Sequence, residues 1–218
     1  MVAVLISSKT IFWEVDAQRD FMLPGGKLYV PGAEKILPNI NRLVEAVRQG
    51  RVFLISSADA HNPNDPELRE WPPHCLKGSS GADLVAEASA PNQLIIPNEA
   101  KIAVPQDFGA YHQVILQKNT LDVFDNPHTD ALLKRFSSAG SPAFGPHPEF
   151  VVFGVATDYC VQRTAEGLLR RGQRVAIVTD AVRSIDPEKG SKVLANLHSN
   201  GARLITAGEA LALVCALP

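Results

Sequence analysis

The chain has 218 residues, of which 45% are hydrophobic and 20% charged, and its formal net charge is −2. This length and apolar content suffice for one sizeable hydrophobic core, and we predict a single α/β domain over residues 1–218. A near-neutral chain without a basic run gives no electrostatic reason to expect binding to nucleic acid or to an anionic membrane. Its longest apolar runs are far shorter than the ~20 residues that span a bilayer.

The cysteine content and the first residues predict the compartment. Three cysteines, Cys75, Cys160 and Cys215, make a poor disulfide framework and are typical of a reducing environment. Met1–Ser8 is apolar but has no basic start and no room for a signal peptide. We therefore expect a cytoplasmic protein, and a homo-oligomer is compatible with this composition.

Short apolar runs alternate with amphipathic stretches along the chain. The strand-like runs are Ile11–Val15, Val52–Ile55, Val114–Leu116, Val151–Val155 and Val175–Val178, with a weaker run at Arg203–Ile205. Helical spacing of apolar residues marks Ala33–Gln49, Thr129–Phe136, Tyr159–Arg171 and Pro187–Asn200, and Ser137–Pro148 has the composition of a surface loop. This alternation predicts right-handed βαβ units and a parallel sheet covered by helices on both sides.

Polar side chains stand where four of the strand-like runs end. Asp16 follows the first run, Asp59 and His61 follow the second, Lys118 follows the third and Cys160 follows the fourth. In an open parallel sheet these positions lie at the carboxyl edge, where ligand sites form. Each residue alone has an ordinary explanation as a turn residue, a surface charge or a core thiol. Four such residues on one edge indicate a functional site.

Cys160 ends the segment Val151–Cys160, VVFGVATDYC, in which an apolar strand leads through small residues to a predicted helix start. Thiolate is stabilised at a helix N-terminus by unpaired N–H groups and by the macrodipole. We therefore interpret Cys160 as a reactive thiol rather than a packing residue.

Four segments carry a resemblance to a known family: VDAQRDFMLPGG (Val15–Gly26), WPPHC (Trp71–Cys75), QKNT (Gln117–Thr120) and GVATDYCV (Gly154–Val161). In order and spacing they resemble the isochorismatase-like cysteine hydrolases, and most of all the nicotinamidase branch. The resemblance covers roughly residues 10–210. It implies a Rossmann-like three-layer α/β/α sandwich with a mostly parallel central sheet.

The resemblance also implies a catalytic triad, which here consists of Asp16, Lys118 and Cys160. Amide hydrolysis through cysteine needs a thiolate and an acid that protonates the departing ammonia. Lys118 beside Cys160 would favour the thiolate, and Asp16 can carry the proton. By the same resemblance, the backbone N–H groups of Ala156 and Cys160 form the oxyanion hole, and the Val155–Ala156 peptide bond is cis.

Asp59-x-His61, followed by His74, matches the metal triad of the nicotinamidase branch. Two imidazoles and a carboxylate suit Zn²⁺, with Mn²⁺ or Fe²⁺ as alternatives. The resemblance implies that this divalent ion binds the pyridine nitrogen of the substrate. Glu67 or Asp65 could complete the ligand shell, but the loop is shortened and rich in proline, so we expect both to be solvated acids.

The predicted substrate contacts are Phe21, Trp71, Val155 and Ala156. Phe21 and Trp71 are candidates to sandwich a flat ring, with ordinary core packing as the alternative. The segment Asn119–His128, NTLDVFDNPH, differs from the Tyr-Ser-Ala-Phe-like segment that many relatives carry after the lysine. Because that segment usually shapes the substrate pocket, the difference leaves other amides open as substrates.

The resemblance thus implies a cysteine-dependent amidohydrolase that cleaves a small carboxamide, nicotinamide, to nicotinate and ammonia through a thioester. One alternative is another small amide or a carbamoyl or ureido compound, whose hydrolases generally lack the metal site. Isochorismatase proper, a vinyl-ether hydrolase, needs neither the cysteine nor the metal. A non-catalytic binding protein is the other alternative, and it would have no use for a matched acid, cation and nucleophile.

Overall fold

The computed structural model describes residues 10–105, 107–137 and 147–215. Met1–Ser8, most of the predicted loop at Ser137–Pro148 and the last three residues of the predicted domain lie outside the described residues. No helix in the described ranges combines the length and the apolar character that a membrane crossing needs.

Seven strands form one sheet in which all neighbouring strands run parallel. In chain order they are β1 (Thr10–Val15), β2 (Phe53–Asp59), β3 (Gln93–Ile96), β4 (Gln113–Lys118), β5 (Glu149–Val155), β6 (Arg174–Arg183) and β7 (Arg203–Ile205). Their order across the sheet is β3-β4-β2-β1-β5-β6-β7, so the chain winds outward from a central β1. Every residue of β1, β2 and β5 is buried, as expected for parallel strands covered on both faces.

Helices cover both faces of the sheet. They are α1 (Arg19–Met22), α2 (Leu37–Arg48), α3 (Thr129–Ser137), α4 (Gln162–Arg170), α5 (Pro187–Ser199) and α6 (Ala207–Cys215). One core contains Leu43 of α2 and Val214 of α6. The other contains Phe136 of α3, Leu168 of α4 and Leu197 of α5. The predicted three-layer α/β/α sandwich is therefore confirmed.

The structure departs from the predicted elements at several places, including an unpredicted edge strand and the starts of two helices. The sequence pattern did not predict β3, an edge strand of which only Ile96 is buried, because so short an edge carries little burial signal. The helix predicted at Ala33–Gln49 begins as a 3₁₀ turn over Ala33–Ile36 before α2 starts. The helix predicted from Tyr159 begins as a π-helical turn over Thr157–Val161, ahead of α4.

Candidate active site

The carboxyl ends of four strands meet at the predicted site. Asp16 follows β1, Asp59 and Lys118 are the last residues of β2 and β4, and Cys160 lies in the turn between β5 and α4. These four strands are neighbours in the sheet, so their ends converge. All four side chains are buried. The prediction that they share one edge of the sheet is confirmed.

A close approach between two strand ends shapes the turn that carries Cys160. Gly154 has a φ of 119°, and a Cβ atom there would lie 2.1 Å from the Val15 carbonyl oxygen. Only glycine therefore fits at this position. The peptide bond between Val155 and Ala156 is cis, as predicted. The π-helical turn that follows contains Cys160 and leads into α4.

Lys118 lies between the acid and the nucleophile. Its Nζ atom is 2.9 Å from Asp16 Oδ2 and 3.6 Å from Cys160 Sγ, and it also donates a hydrogen bond to Asp59 Oδ1. Ser57 Oγ donates a hydrogen bond to Asp16 Oδ1 at 2.6 Å. The structure thus brings together the three side chains that the sequence predicts as a triad.

Burial and neighbouring charges set the protonation of these groups. Burial acts to lower the pKa of Lys118, but Asp16 and Asp59 outweigh it and raise that pKa well above its ordinary value. Burial raises the pKa of the Cys160 thiol well above its ordinary value, and the opposing effect of Lys118 is too small to reverse this. Burial also raises the pKa of Asp16, with Lys118 again acting in the opposite direction.

Burial keeps the resting nucleophile a thiol, and Lys118 acts in the expected direction, favouring the thiolate, without outweighing burial. Two carboxylates already share the Lys118 charge, so it cannot also offset the desolvation of a buried thiolate. Asp16 and Cys160 both contact Lys118 Nζ, so Asp16 is the neighbouring carboxyl group that can accept the thiol proton. The Asp16 charge disfavours a free thiolate, so Cys160 would lose its proton to Asp16 only as it attacks a substrate.

A second cluster adjoins Lys118 through Asp59. The candidate ligand atoms of Asp59, His61, Glu67 and His74 all lie within 4.8 Å of one another. Asp59 Oδ2 is 3.7 Å from His61 Nε2 and 3.5 Å from His74 Nε2. The three predicted metal ligands are therefore close together, and the expectation that Glu67 is a solvated acid is wrong.

The donor set of this cluster fits a divalent cation. Within the described ranges neither ring nitrogen of the fully buried His61 has a hydrogen-bond partner, which needs an explanation such as an unseen ion. Two imidazoles and two carboxylates suit Zn²⁺, and Mn²⁺ or Fe²⁺ also accept such ligands. Asp65 Oδ2 lies 3.5 Å from His61 Nδ1, where a carboxylate can orient a metal-binding imidazole. Asp65 therefore lies beside His61 and outside the four-residue cluster.

The protonation of Asp59 and His74 affects how this cluster would bind a cation. Burial acts to raise the pKa of Asp59, but Lys118 and the two imidazoles outweigh it and hold that pKa far below its ordinary range. Burial acts to lower the pKa of His74, but the hydrogen bond to Asp59 outweighs it and raises that pKa above its ordinary value. A proton and a cation would therefore compete for His74.

Buried polar residues that the sequence analysis did not single out fix the ligand-bearing segments. Gln18 Nε2 donates to the Asp59 carbonyl oxygen, and Gln18 Oε1 accepts from the Asp59 N–H, both at 2.7 Å. Asp20 Oδ2 accepts from the Cys75 N–H at 2.8 Å and so fixes the segment that carries His74.

Asp158 has a similar role on the opposite side of the site. Its two carboxylate oxygens accept the N–H groups of Ile185 and Asp186 at 3.0 and 3.1 Å, which ties the segment after β6 to the nucleophile turn. Gln18, Asp20 and Asp158 all lie inside the motifs that carry the family resemblance. The sequence feature that could have identified them is a polar residue inside a family motif, next to residues that are expected to be buried.

A small cavity opens onto both clusters. The four predicted substrate contacts, Phe21, Trp71, Val155 and Ala156, all line it. Leu121, from the segment that departs from the family pattern, is also part of the wall. Among the described residues no lysine or arginine lines the cavity, whereas three carboxyl groups do. The space is therefore apolar on most sides and acidic at its base.

Comparison with known proteins identifies the family. The nicotinamidase of Escherichia coli strain K12 is 26% identical, over 89% of this chain and 93% of its own length. The pyrazinamidase of Pyrococcus horikoshii, solved in complex with zinc, is 27% identical with a TM-score of 0.69, over 91% of this chain and 99% of that one. N-carbamoylsarcosine amidase of Thermoplasma acidophilum is 26% identical with a TM-score of 0.67, over 91% and 96%. Residues 11–101 and 99–209 match the Isochorismatase domain, and this chain therefore belongs to the isochorismatase family.

Proposed function

We propose that this protein is a cysteine-dependent amidohydrolase that converts nicotinamide into nicotinate and ammonia. The observation that carries the proposal is one shared cavity. It is lined by the Cys160 thiol, by the Asp16 carboxyl group, and by Asp59 and His74 of the candidate metal ligands. A thiol next to a proton acceptor suits attack on a carboxamide. The named activities of the Escherichia coli and Pyrococcus horikoshii proteins support the same substrate class.

The first half of the proposed reaction forms a thioester. Asp16 accepts the Cys160 proton while Sγ attacks the carboxamide carbon and forms a C–S bond. The backbone N–H groups of Ala156 and Cys160 donate hydrogen bonds to the oxyanion of the tetrahedral intermediate. Asp16 then protonates the departing nitrogen, the C–N bond breaks and ammonia leaves. Lys118 stays cationic throughout and stabilises the negative charge as it moves between Asp16 and Cys160.

The second half returns the enzyme to its starting state. Asp16 takes a proton from water, and the resulting oxygen nucleophile attacks the thioester carbon. The C–S bond breaks, Cys160 takes the proton back from Asp16, and the nicotinic acid product releases a proton to solvent as nicotinate. Phe21 and Trp71 are the proposed contacts for the faces of the substrate ring. When bound, a divalent ion, with zinc as the first candidate, would supply a Lewis-acid contact for the ring nitrogen. Its proposed ligands are Asp59, His61, Glu67 and His74.

The charge of the cavity favours nicotinamide over the main alternative. N-carbamoyl amino acids carry a carboxylate, which a binding site usually pairs with lysine or arginine. The cavity wall presents Asp16, Asp59 and Glu67, and no described lysine or arginine. A neutral aromatic amide needs no such cationic partner. The similarity to the Thermoplasma acidophilum N-carbamoylsarcosine amidase supports the carbamoyl compound as the alternative.

An ammonia-release assay over nicotinamide, pyrazinamide, benzamide, N-carbamoylsarcosine and ureidoacrylate tests the proposal. We expect turnover of the two pyridine- or pyrazine-type carboxamides and none of the two anionic compounds. The Cys160→Ala variant serves as the matched blank and should release no ammonia. Hydrolysis of N-carbamoylsarcosine without hydrolysis of nicotinamide would establish the alternative. No turnover of any amide would favour the non-catalytic binding protein.

A further inference from the structure

Glu14 is a buried acid beneath the active site that the proposed mechanism does not use. It lies on β1, two residues before Asp16, and its side chain is completely buried. Carboxyl groups are rarely buried in this way unless a partner compensates them. Among the described residues no lysine, arginine or histidine forms an ion pair with Glu14, and its Oε2 atom has no hydrogen-bond partner there. An apolar residue would be the ordinary occupant of such a position.

The other carboxyl oxygen of Glu14 holds the turn that follows β1. Oε1 accepts the Ala17 N–H at 2.5 Å. This N–H belongs to the peptide unit that joins Asp16 to Ala17, so the hydrogen bond restrains the backbone of Asp16. Asp16 has a φ of 51°, a left-handed conformation that is uncommon for residues other than glycine. Because Ala17 is fully buried, water could not replace the lost acceptor.

A chain of polar contacts fixes Glu14 in turn. Gln113 Nε2 donates to Ser56 Oγ at 2.8 Å and so fixes the Ser56 hydroxyl beside Glu14. Burial raises the pKa of Glu14 to about 8, the Ala17 N–H and the neighbouring Ser56 oppose this, and Asp16 adds to it. Near neutral pH Glu14 is therefore mostly protonated, and it still offers an acceptor oxygen to the Asp16 turn.

We propose that Glu14 is a positioning residue whose side chain, by holding the Ala17 N–H, fixes the orientation of Asp16 toward Cys160. Asp16 needs this support because it must face both Lys118 and Cys160 from a left-handed turn. What the turn requires from position 14 is an acceptor oxygen at the right reach, rather than a charge. Glu14→Gln keeps that acceptor, whereas Glu14→Leu removes it at similar size.

The first experiment rests on the proposed function and measures kcat and KM for nicotinamide. Glu14→Leu should lower kcat by about 10- to 100-fold with KM changed less than about threefold, because misplaced groups slow chemistry more than binding. Glu14→Gln should stay within about threefold of the wild type. Glu149→Leu is the matched control, since Glu149 is a buried acid at the opposite end of the sheet, 2.9 Å from Arg203. Its kcat should stay within about twofold of the wild type.

A double-mutant cycle separates positioning from general damage. In an Asp16→Asn background, Glu14→Leu should reduce kcat by less than about twofold further, because its effect passes through Asp16. A full additional loss in that background would overturn the proposal. A kcat of Glu14→Leu within about threefold of the wild type would overturn it as well.

The second experiment needs no substrate and follows alkylation of Cys160 by iodoacetamide at mildly alkaline pH, with site-resolved mass spectrometry. Asp16 contributes to the raised pKa of Cys160, so its displacement in Glu14→Leu should speed alkylation by at least about threefold. Cys75, which is also buried, is the internal reference for general loosening. A rate within about twofold of the wild type, or a gain that Cys75 shares, overturns the positioning role. A selective gain at Cys160 without nicotinamide turnover by the wild type would reject the proposed function and keep Glu14 as a positioning residue.

Discussion

The two halves of the site compensate their charges in different ways. In the half formed by Asp16, Lys118 and Cys160, the ammonium group contacts the carboxyl group and the thiol directly. In the other half, the fully buried His61 has no hydrogen-bond partner within the described ranges for either ring nitrogen, although the carboxyl group of Glu67 lies close by. The first half balances its charges with side chains of the chain itself, whereas the second offers a set of donor atoms that fits a cation.

Asp59 belongs to both halves and connects them. Its Oδ1 atom accepts a hydrogen bond from Lys118, and its Oδ2 atom faces His61 and His74. A cation near Asp59 Oδ2 would weaken the interaction between Asp59 and Lys118. Lys118 would then interact more strongly with Asp16. The halves should therefore be separable in binding experiments but coupled in catalysis.

Asp16→Asn tests the first half and has the largest expected effect. Asparagine keeps the shape of the side chain but cannot carry a proton, so kcat for nicotinamide should fall by about 10²- to 10⁴-fold. The zinc content of the purified variant, measured by plasma mass spectrometry, should equal that of the wild type. A kcat above about one tenth of the wild-type value would remove Asp16 from the proton pathway. Loss of zinc would show that the two halves do not bind independently.

Metal removal tests the second half. If the ion positions a ring nitrogen, chelation should reduce nicotinamide turnover by about 10²-fold more than benzamide turnover, because benzamide lacks that nitrogen. Cys160 should still react with iodoacetamide after chelation, and added zinc should restore activity. Equal losses on both amides would instead mean that the ion only maintains the structure.

The sequence alone predicted the convergence of the two halves because its signals are local. Asp16, Lys118 and Cys160 each follow an apolar run, and parallel topology carries such ends to one edge of the sheet. His61 and His74 were predicted as metal ligands from the family resemblance, because the Asp-x-His pattern alone is a weak signal. Residue type and chain position predicted the shared edge, and the resemblance supplied the roles.

The protonation of Cys160 and the roles of Asp65 and Glu67 could not be predicted in this way. The Cys160 pKa depends on burial and on the sharing of Lys118 between two carboxylates, neither of which has a local signature. Asp65 and Glu67 are both acids on one short loop. A 3₁₀ turn over Pro66–Arg69 places the two side chains differently. The Glu67 carboxylate faces the cluster, and the Asp65 carboxylate lies beside His61.

Asp65→Asn tests whether metal binding by the second half depends on a residue that is not itself a proposed ligand. Removing the carboxylate near His61 Nδ1 should weaken zinc affinity by about 10- to 100-fold, with kcat at saturating zinc little changed. Competition with a fluorescent zinc indicator gives the affinity. Glu70→Gln is the matched control, because Glu70 is an exposed acid on the same loop. Equal affinities for the two variants would remove Asp65 from the support of His61.

The last prediction concerns stability rather than activity, and it asks whether a charge compensates Glu14 below the sheet edge as Lys118 compensates Asp16 at that edge. Burial raises the pKa of Glu14 from an ordinary 4.5 to about 8, so between these values the native state holds a proton that the unfolded chain has released. The free energy of unfolding should therefore fall with rising pH in this window, by up to about 1.4 kcal/mol per pH unit from this group. Glu14→Gln removes this titrating group. In urea unfolding, the free energy of unfolding of the variant should therefore increase relative to that of the wild type from about pH 4.5 to about pH 8, and the difference should stay constant above that. The glutamine NH₂ group changes the free energy of unfolding by an amount that does not depend on pH. The informative quantity is therefore the slope of that free energy against pH. Parallel stability profiles across the whole window would show that Glu14 is ionised in the folded protein and that a compensating charge faces it.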